Sequence, residues 1–385
     1  MAHTIDSTLI PRILGGALMV LREQCPLLRH VQKDYNGAAS EKGNTIVIHV
    51  PVPQTVGAIT PSNATPSGST KSLTPVSVTL ATHEGTNFQL TEQDAWKMRV
   101  SDFVPGQVKE SARAIANSIS AALWACYTKV YGYAGTAGTN PFATNVNPAA
   151  DVEGVLEDQL CPDNGQRKLY LGSVERTAAL KLAELKAQYS AGNTDALRMA
   201  RIGQLFSMEV FKDGNRPTHT AGTSDAATAV KANVAAGLKT FKLKGTGATG
   251  TLVVGDIITF AGHSQTYAVQ NAVADVSVAD TDVTIEPALV SSIAADELIA
   301  RKATHKVNLA MDPAALALAI RPNKVGYGIE GAEPQGDPVT MVDAQTGIPL
   351  TLYIYRQYHQ VTYELTAGLY GCGLADGRLA ARLAG

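Results

Sequence analysis

PGQVKESARAIANSISAALWACYTKVYGY, residues 105–133, carries apolar side chains at Val108, Ala112, Ile115, Ile119, Ala122, Leu123, Cys126 and Val130. Steps of three and four residues put these on one stripe, and the spacing predicts a single long amphipathic helix. Pro105 suits the first helical turn and Gly132 a stop, while Lys109, Glu110, Arg113, Asn117, Ser120 and Lys129 occupy the opposite face. At about 1.5 Å per residue such a helix reaches roughly 40 Å. Val108, Ile115, Ile119, Leu123 and Val130 are its expected core residues. The same stripe serves an ordinary core helix or a spine on which the β-rich segments on either side pack.

Upstream, residues 88–104 (FQLTEQDAWKMRVSDFV) place Thr91 to cap a short helix, with Asp94 three residues on. Further back, TIVIHVPVP from residue 45 has period two and is broken by Pro51 and Pro53. A turn-rich tip, PSNATPSGSTKS, follows, and VSVTLATHEG returns as a second strand. Lys71 is the one formally charged residue between Asn44 and Thr82. An arm this short of charge suits a finger lying on another subunit, or a surface loop. On the first reading the residues a neighbour buries are Ile46, Ile48, Val50, Val52, Val56, Ile59, Lys71, Val76, Val78 and Leu80. Near the start, ILGGALMVL (13–21) is too short to span a bilayer and lacks the flanks of a signal peptide. Leu9, Ile13, Leu14, Ala17, Leu18 and Leu21 share a face and predict a helix packed on another surface.

Downstream, 135–148 reads as a loop, 151–160 as a short acidic helix, 168–171 as a buried strand, and Ser173 as the cap of a helix reaching Tyr189. Residues 202–211 (IGQLFSMEVF) read as a strand pair or a bent strand. Composition then shifts. Short β runs at 238–244, 251–262, 265–270, 276–278, 282–287 and 297–301 suggest a small β-barrel or sandwich over 216–303. Asp312 and Pro313 open an expected helix, PAALALAI, ended by Arg321-Pro322. Residues 350–369 alternate as two strands.

At 385 residues the chain suggests two or three domains. Asp, Glu, Lys and Arg make up 17% and apolar residues 45%, against roughly a quarter charged in ordinary soluble domains. A surface so short of charge is one that something covers. The net charge of −2 gives no footprint for gripping nucleic acid, so contact with DNA should be weak and non-specific. Cys25, Cys126, Cys161 and Cys372 stand far apart with no CxxC, which indicates reduced thiols rather than a disulfide or zinc framework.

No chemistry-bearing motif survives inspection. Gly245-Thr246-Gly247-Ala248-Thr249-Gly250 matches GxGxxG, but the segment after it, TLVVGDIITF, reads as a strand, so no helix N-terminus is there to receive a pyrophosphate. It reads as a hairpin turn. His83-Glu84 begins like a zincin motif, but residue 87 is Asn. GxSxG, P-loop and nucleophilic cysteine signatures do not occur. The expectation is no catalytic, cofactor or metal site, and no enzyme.

The order of parts, together with four local passages, resembles the major capsid (coat) protein of tailed bacteriophages. LEDQLCPDNGQRKLYL (156–171) looks like the family's loop-Pro-Arg-strand passage, and ARIGQLFSMEVFKD (200–213) is similar to its Arg-x-Gly segment, with Ser207 where the family usually has Gly. VNLAMDPAALALAIRP (307–322) looks like its strand leading to an Ala-rich helix, and YELTAGLYGCGLADGRLAARL (363–383) like its closing strand. The β segment 216–303 is similar to the insertion of the podophage P twenty-two type branch.

That resemblance implies an α+β Hong Kong 97-type capsid fold. Residues 1–43 would be the N-terminal arm, 44–88 the extended E-loop, and 89–150 the peripheral domain with its spine helix. Residues 151–215 and 304–385 would be the axial domain with returning peripheral strands, and 216–303 an inserted β-barrel. It implies homo-oligomeric hexamers and pentamers forming an icosahedral shell around phage double-stranded DNA, through a procapsid that expands, with scaffolding and portal proteins as partners. The site would be the virion capsid, assembled in the host cytoplasm without a membrane. Some family members cross-link an arm lysine to a neighbour's asparagine; Lys71 is the lysine available, and no partner carboxylate is visible, so it reads as solvated. A β-rich decoration or adhesion protein is the alternative, with 216–303 as its binding unit.

Overall fold

The apolar stripe forms the helix Val100–Ala125, continued by a 3-10 turn at Cys126–Lys129 and a short strand, Gly132–Ala134. The structure, a computed structural model, describes residues 14–19, 25–33, 36–39, 43–50, 74–97, 100–187, 195–323, 339–343 and 346–385. Val108, Ile115, Ile119, Leu123 and Val130 are all buried in the main core. Two boundaries differ from expectation. Pro105 lies inside the helix, where it forfeits one hydrogen bond to the Ser101 carbonyl, while buried Val104 and Val108 hold that turn against the core. The helix stops before Gly132 because Gly132–Ala134 pairs in parallel with Ala381–Leu383. Gly132 is there for close approach: a Cβ would meet the Gln159 amide at 2.3 Å and the Ala381 Cβ at 3.0 Å.

Two sheets sandwich this helix with the N-terminal segments. The larger has the order Gly132–Ala134, Ala380–Ala384, His305–Met311, Lys168–Leu171, Met208–Lys212, Gln204–Leu205, with Thr218–His219 added beside His305–Met311. Alternation assigns its faces. Leu309 and Met311 join the spine-helix core, while Leu169, Leu171, Ala310, Ala381 and Leu383 face a second core under the helix Asn147–Asp158. Ser173 does not cap the next helix. Gly172 is the N-cap of Ser173–Lys181, and Leu182 in extended conformation separates it from Ala183–Lys186.

The second sheet runs Leu316–Arg321, Gln360–Leu374, Pro349–Gln357, Val339–Val342, with Thr82–Thr91 along the other side of Gln360–Leu374. Here the expected helix after Asp312 is overturned. Asp312 does cap, accepting from the Ala314 amide at 2.9 Å, but only a 3-10 turn, Pro313–Ala315, follows before the strand Leu316–Arg321. LALAI is buried on both faces: Leu316, Leu318 and Ile320 enter the main core, and Ala317 and Ala319 face a hairpin on the outside. Helix propensity loses to pairing with Leu369–Leu374. The N-terminal segment covers the other edge, with Gln32 bonding the Leu316 carbonyl and the Leu318 amide. Leu14, Ala17 and Leu18 are buried against the same core; Leu9, Ile13 and Leu21 lie outside the described residues.

Thr240–Lys242, Ile257–Thr259, Tyr267–Val269, Asp282–Glu286 and Ala300–Arg301 form a separate sheet with its own core, from Val230 to Ile299. Bridges from Val230 to Leu243 and from Ala229 to Leu298 connect its two edges. Residues 276–278, expected as a strand, form a turn with Val276 buried. The GxGxxG segment is a loop in which Gly245, Gly247 and Gly250 have positive φ; the strand before it pairs with Asp282–Glu286, so it does not close a hairpin.

Candidate assembly surfaces

The outer hairpin pairs Thr45–Val50 with Thr74–Thr79, Ile46 opposite Val78 and Ile48 opposite Val76. Period two sends its apolar side chains to one face. Ile46 and Leu80 pack on Ala39 and Ala319, and Ile48 and Val78 on Ala317 and Ala375. This corrects four of the residues expected at a neighbour's surface: Ile46, Ile48, Val78 and Leu80 are already buried by the chain's own sheet, at 8% exposure or less. The reason lies in the strand beneath, which offers alanines and glycines to a hairpin of β-branched residues. A Cβ at Gly371 would stand 2.3 Å from the Thr79 carbonyl oxygen, and one at Gly373 2.8 Å from a Val78 methyl. Val50 and Val76 are half-buried at the hairpin's far end, where they line a cleft of about 640 Å³ with Lys129, Tyr131, Lys239 and Arg378. Val52, Val56, Ile59 and Lys71 lie outside the described residues. The outward face of the hairpin carries Thr45, Val47, His49, Ser77 and Thr79.

Beside it, Thr82–Thr91 bonds to Gln360–Leu374 along one side only among the described residues, and most of its side chains are exposed. Its two candidate ligands diverge. His83 meets the Asn323 side chain at 3.1 Å, and Glu84 accepts from Ser118 and from Tyr370 Oη. Among the described residues no three His, Cys, Asp or Glu side chains group as metal ligands. Burial pushes the Cys25 thiol up to about 12 and Cys126 to about 11, and raises Cys161 and Cys372 as well, so none is a thiolate nucleophile at neutral pH. No helix of the described residues is long and apolar enough to cross a membrane.

A buried charged cluster, absent from the sequence reading, joins the separate β unit to the main sheet. Arg382 is 0% exposed, lies over the Tyr127 ring at 5.0 Å, and donates through Nη1 to the Gly255 carbonyl at 2.8 Å. Asp256, also 0% exposed, faces His219 Nε2 at 2.9 Å and accepts from the amides of Gly222 and Val253. Below them Ile257 and Ala268 pack on Tyr131, Tyr133 and Ala384. The signal was present: Arg382 is a lone cation in the apolar run AARLA, and Asp256 a lone anion before IITF. Such residues, hydrophobic on both sides in sequence, are buried with a partner or not at all.

His305 faces the same cluster, its ring 5.4 Å from that of His219 and 5.3 Å from that of Tyr133, with Arg382 and Asp256 near by. Nδ1 donates to the Ala303 carbonyl at 2.9 Å, and Nε2 is buried without a hydrogen-bond partner among the described residues. Burial, and secondarily the Arg382 charge, pushes its pKa down to about 4 from 6.5. The folded value lies below the unfolded one, so protonation favours the unfolded chain. Stability is full above about pH 6.5, falls as pH drops, and levels off below about 4, where both states are charged. The thermal midpoint of wild type should fall between pH 6.5 and 4 by more than that of His305→Gln; equal slopes would remove His305 from this role.

No family model and no curated protein sequence matches the chain. Solved structures do. One from Mycobacterium phage Che8 superposes with a TM-score of 0.50 and 12% identity, over 93% of this chain and 90% of that one. The mature capsid of bacteriophage PhiM1 gives a TM-score of 0.46 and 13% identity, over 89% and 82% of the two chains. The capsid of cyanophage P-SCSP1u gives a TM-score of 0.48 and 9% identity, over 89% and 83%. At these identities the likeness is one of fold: the chain has the α+β Hong Kong 97-type capsid fold.

Proposed function

We propose that the chain is the subunit of a protein shell, the major capsid protein of a tailed bacteriophage, with a structural rather than an enzymatic role. The observation that supports this is the superposition with the phage Che8 structure over nine-tenths of both chains. The physics supports it. A strand edge free along Thr82–Thr91 and fourteen exposed large apolar side chains, both among the described residues, gain by burial between copies, in a chain of which only 17% is charged.

On this reading the subunits form hexamers and pentamers of an icosahedral shell, first as a procapsid that expands as double-stranded DNA enters. The shell would be assembled in the host cytoplasm with scaffolding and portal proteins. The parts follow the sequence: arm 1–43, E-loop 44–88, peripheral domain 89–150, axial domain 151–215 with 304–385, and the β unit 216–303 as an insertion. The surface offered to neighbours is revised to the outward face of the hairpin and the edge of Thr82–Thr91. The low net charge suits a container whose wall should not hold its contents tightly.

The experiment is direct. Purified full-length chain, alone and with candidate scaffolding protein, is concentrated and viewed by negative-stain microscopy and sedimentation. Closed shells of uniform diameter are expected. A chain that remains a stable monomer at every salt and protein concentration would overturn the proposal.

A further inference from the structure

Three local choices at one end of the larger sheet each work against the isolated subunit. The helix Asn147–Asp158 ends in Glu157 and Asp158, carboxylates on the turn whose dipole disfavours anions, and it has no basic residue there. Leu160 follows at φ 60°, with the Cys161 amide bonded to the Leu156 carbonyl at 2.9 Å, the closure that glycine ordinarily makes possible. Its side chain is 84% exposed. Phe206, in the turn between Gln204–Leu205 and Met208–Lys212, is likewise at positive φ, 51°, and 50% exposed.

One side chain holds both turns together. Arg167, 1% exposed, donates through Nη2 to the Cys161 carbonyl at 2.7 Å and through Nε to the Pro162 carbonyl at 3.2 Å. Its Nη1 reaches Ser207 Oγ at 3.5 Å, and Glu153 pairs with it at 3.8 Å. The exposed leucine and phenylalanine therefore project from neighbouring turns fixed by a single buried guanidinium. Two neighbouring segments carry exposed charges without ion-pair partners among the described residues. Asp151, Glu157, Asp158 and Asp163 are exposed on or just past the helix that packs on Ala380–Ala384 and Gly132–Ala134. Lys181, Arg198 and Arg201 are exposed on the crossover between the parallel strands Lys168–Leu171 and Met208–Lys212, with Met199 among them at 64% exposure. None of these seven has an oppositely charged partner among the described residues.

Resting on the shell reading, we propose that this end is a head-to-tail contact between copies of the chain around a closed ring. Leu160 and Phe206 of one copy are covered by the next, and the carboxylates of 151–163 meet the cations Lys181, Arg198 and Arg201 of that neighbour. The two halves are different residues, so the contact is heterologous and closes only by rotation. The conformational and dipole costs in the monomer are then the mark of side chains placed for a partner.

The test uses full-length chain and two readouts, the melting midpoint of the subunit and the concentration at which shells appear by light scattering. Leu160→Gly with Phe206→Gly relieves both left-handed strains, and Glu157→Lys with Asp158→Lys suits the helix dipole. Both pairs should leave the midpoint unchanged or raised, yet raise the assembly concentration roughly tenfold or more. Adding Arg198→Glu and Arg201→Glu to the lysine pair should restore assembly. Shells from wild type with variants assembling at the same concentration would overturn this contact alone. A wild type that never assembles would remove the shell reading and the contact with it.

Discussion

Asp256→Ala is expected to lower stability by about 3–5 kcal/mol and to release the β unit from the main sheet. The carboxylate is fully buried between three elements: it faces His219, accepts from the Gly222 and Val253 amides, and lies in the field of Arg382. Removing it orphans the buried Gly222 amide, the partly buried Val253 amide and the buried His219 ring, and takes away an anion whose charge favours the fully buried Arg382 guanidinium. Burial already pulls the Arg382 pKa down to about 9, which reports how dry the site is. Hydrogen exchange locates the effect: the amides of Ile257–Thr259 and Tyr267–Val269 should lose protection ahead of those in Val100–Ala125. Uniform loss across the chain, or an unchanged urea midpoint, would remove the cluster from its role as a joint. Asp256→Asn tests the complement, since it keeps an oxygen acceptor for the Gly222 and Val253 amides and should cost far less than Asp256→Ala.

Gly371→Val should expel the outer hairpin. A Cβ at that position would stand 2.3 Å from the Thr79 carbonyl oxygen and 3.1 Å from the Leu80 Cα, both backbone atoms that cannot rotate away. The hairpin would have to lift, exposing Ile46, Ile48, Val78 and Leu80 and uncovering Ala317 and Ala319. Four buried aliphatic side chains returned to water correspond to about 6–12 kcal/mol at 1.5–3 kcal/mol each, which sets the upper bound of the effect. The expected result is a subunit whose spine-helix core still melts cooperatively, whose residues 45–50 and 74–79 are cut readily by protease, and which forms no shells. Normal shells from this variant would show that a seated hairpin is not needed for assembly.

Much of this architecture was legible along the chain. The stripe from Val108 to Val130 announced a buried helix face, Thr91 and Asp312 announced caps that the structure contains, and the period-two runs around 46 and 78 announced the hairpin. What misled was short apolar sequence of mixed propensity. LALAI is written almost entirely in helix formers, and its large-small alternation is equally a strand with one face for leucines and one for alanines. Only the presence of Leu369–Leu374 alongside and the hairpin outside decides between them. The apolar hairpin residues point to a neighbour when taken along the chain alone, because nothing near them in sequence reveals that Ala317, Ala319, Gly371 and Gly373, far along the chain, make a shallow bed for them.

By itself, then, the amino-acid order determined the spine, the caps at Thr91 and Asp312, the pairing of the hairpin and the lack of catalytic motifs, because those depend on residues a few positions apart. The tertiary structure alone decided which apolar faces are already satisfied within one subunit and which are not. It also brought Arg382, Asp256, His219 and His305 into one buried joint, and Leu160 and Phe206 onto one guanidinium. Burial is a property of distant segments meeting, and a side chain's chemistry does not say what will lie across from it.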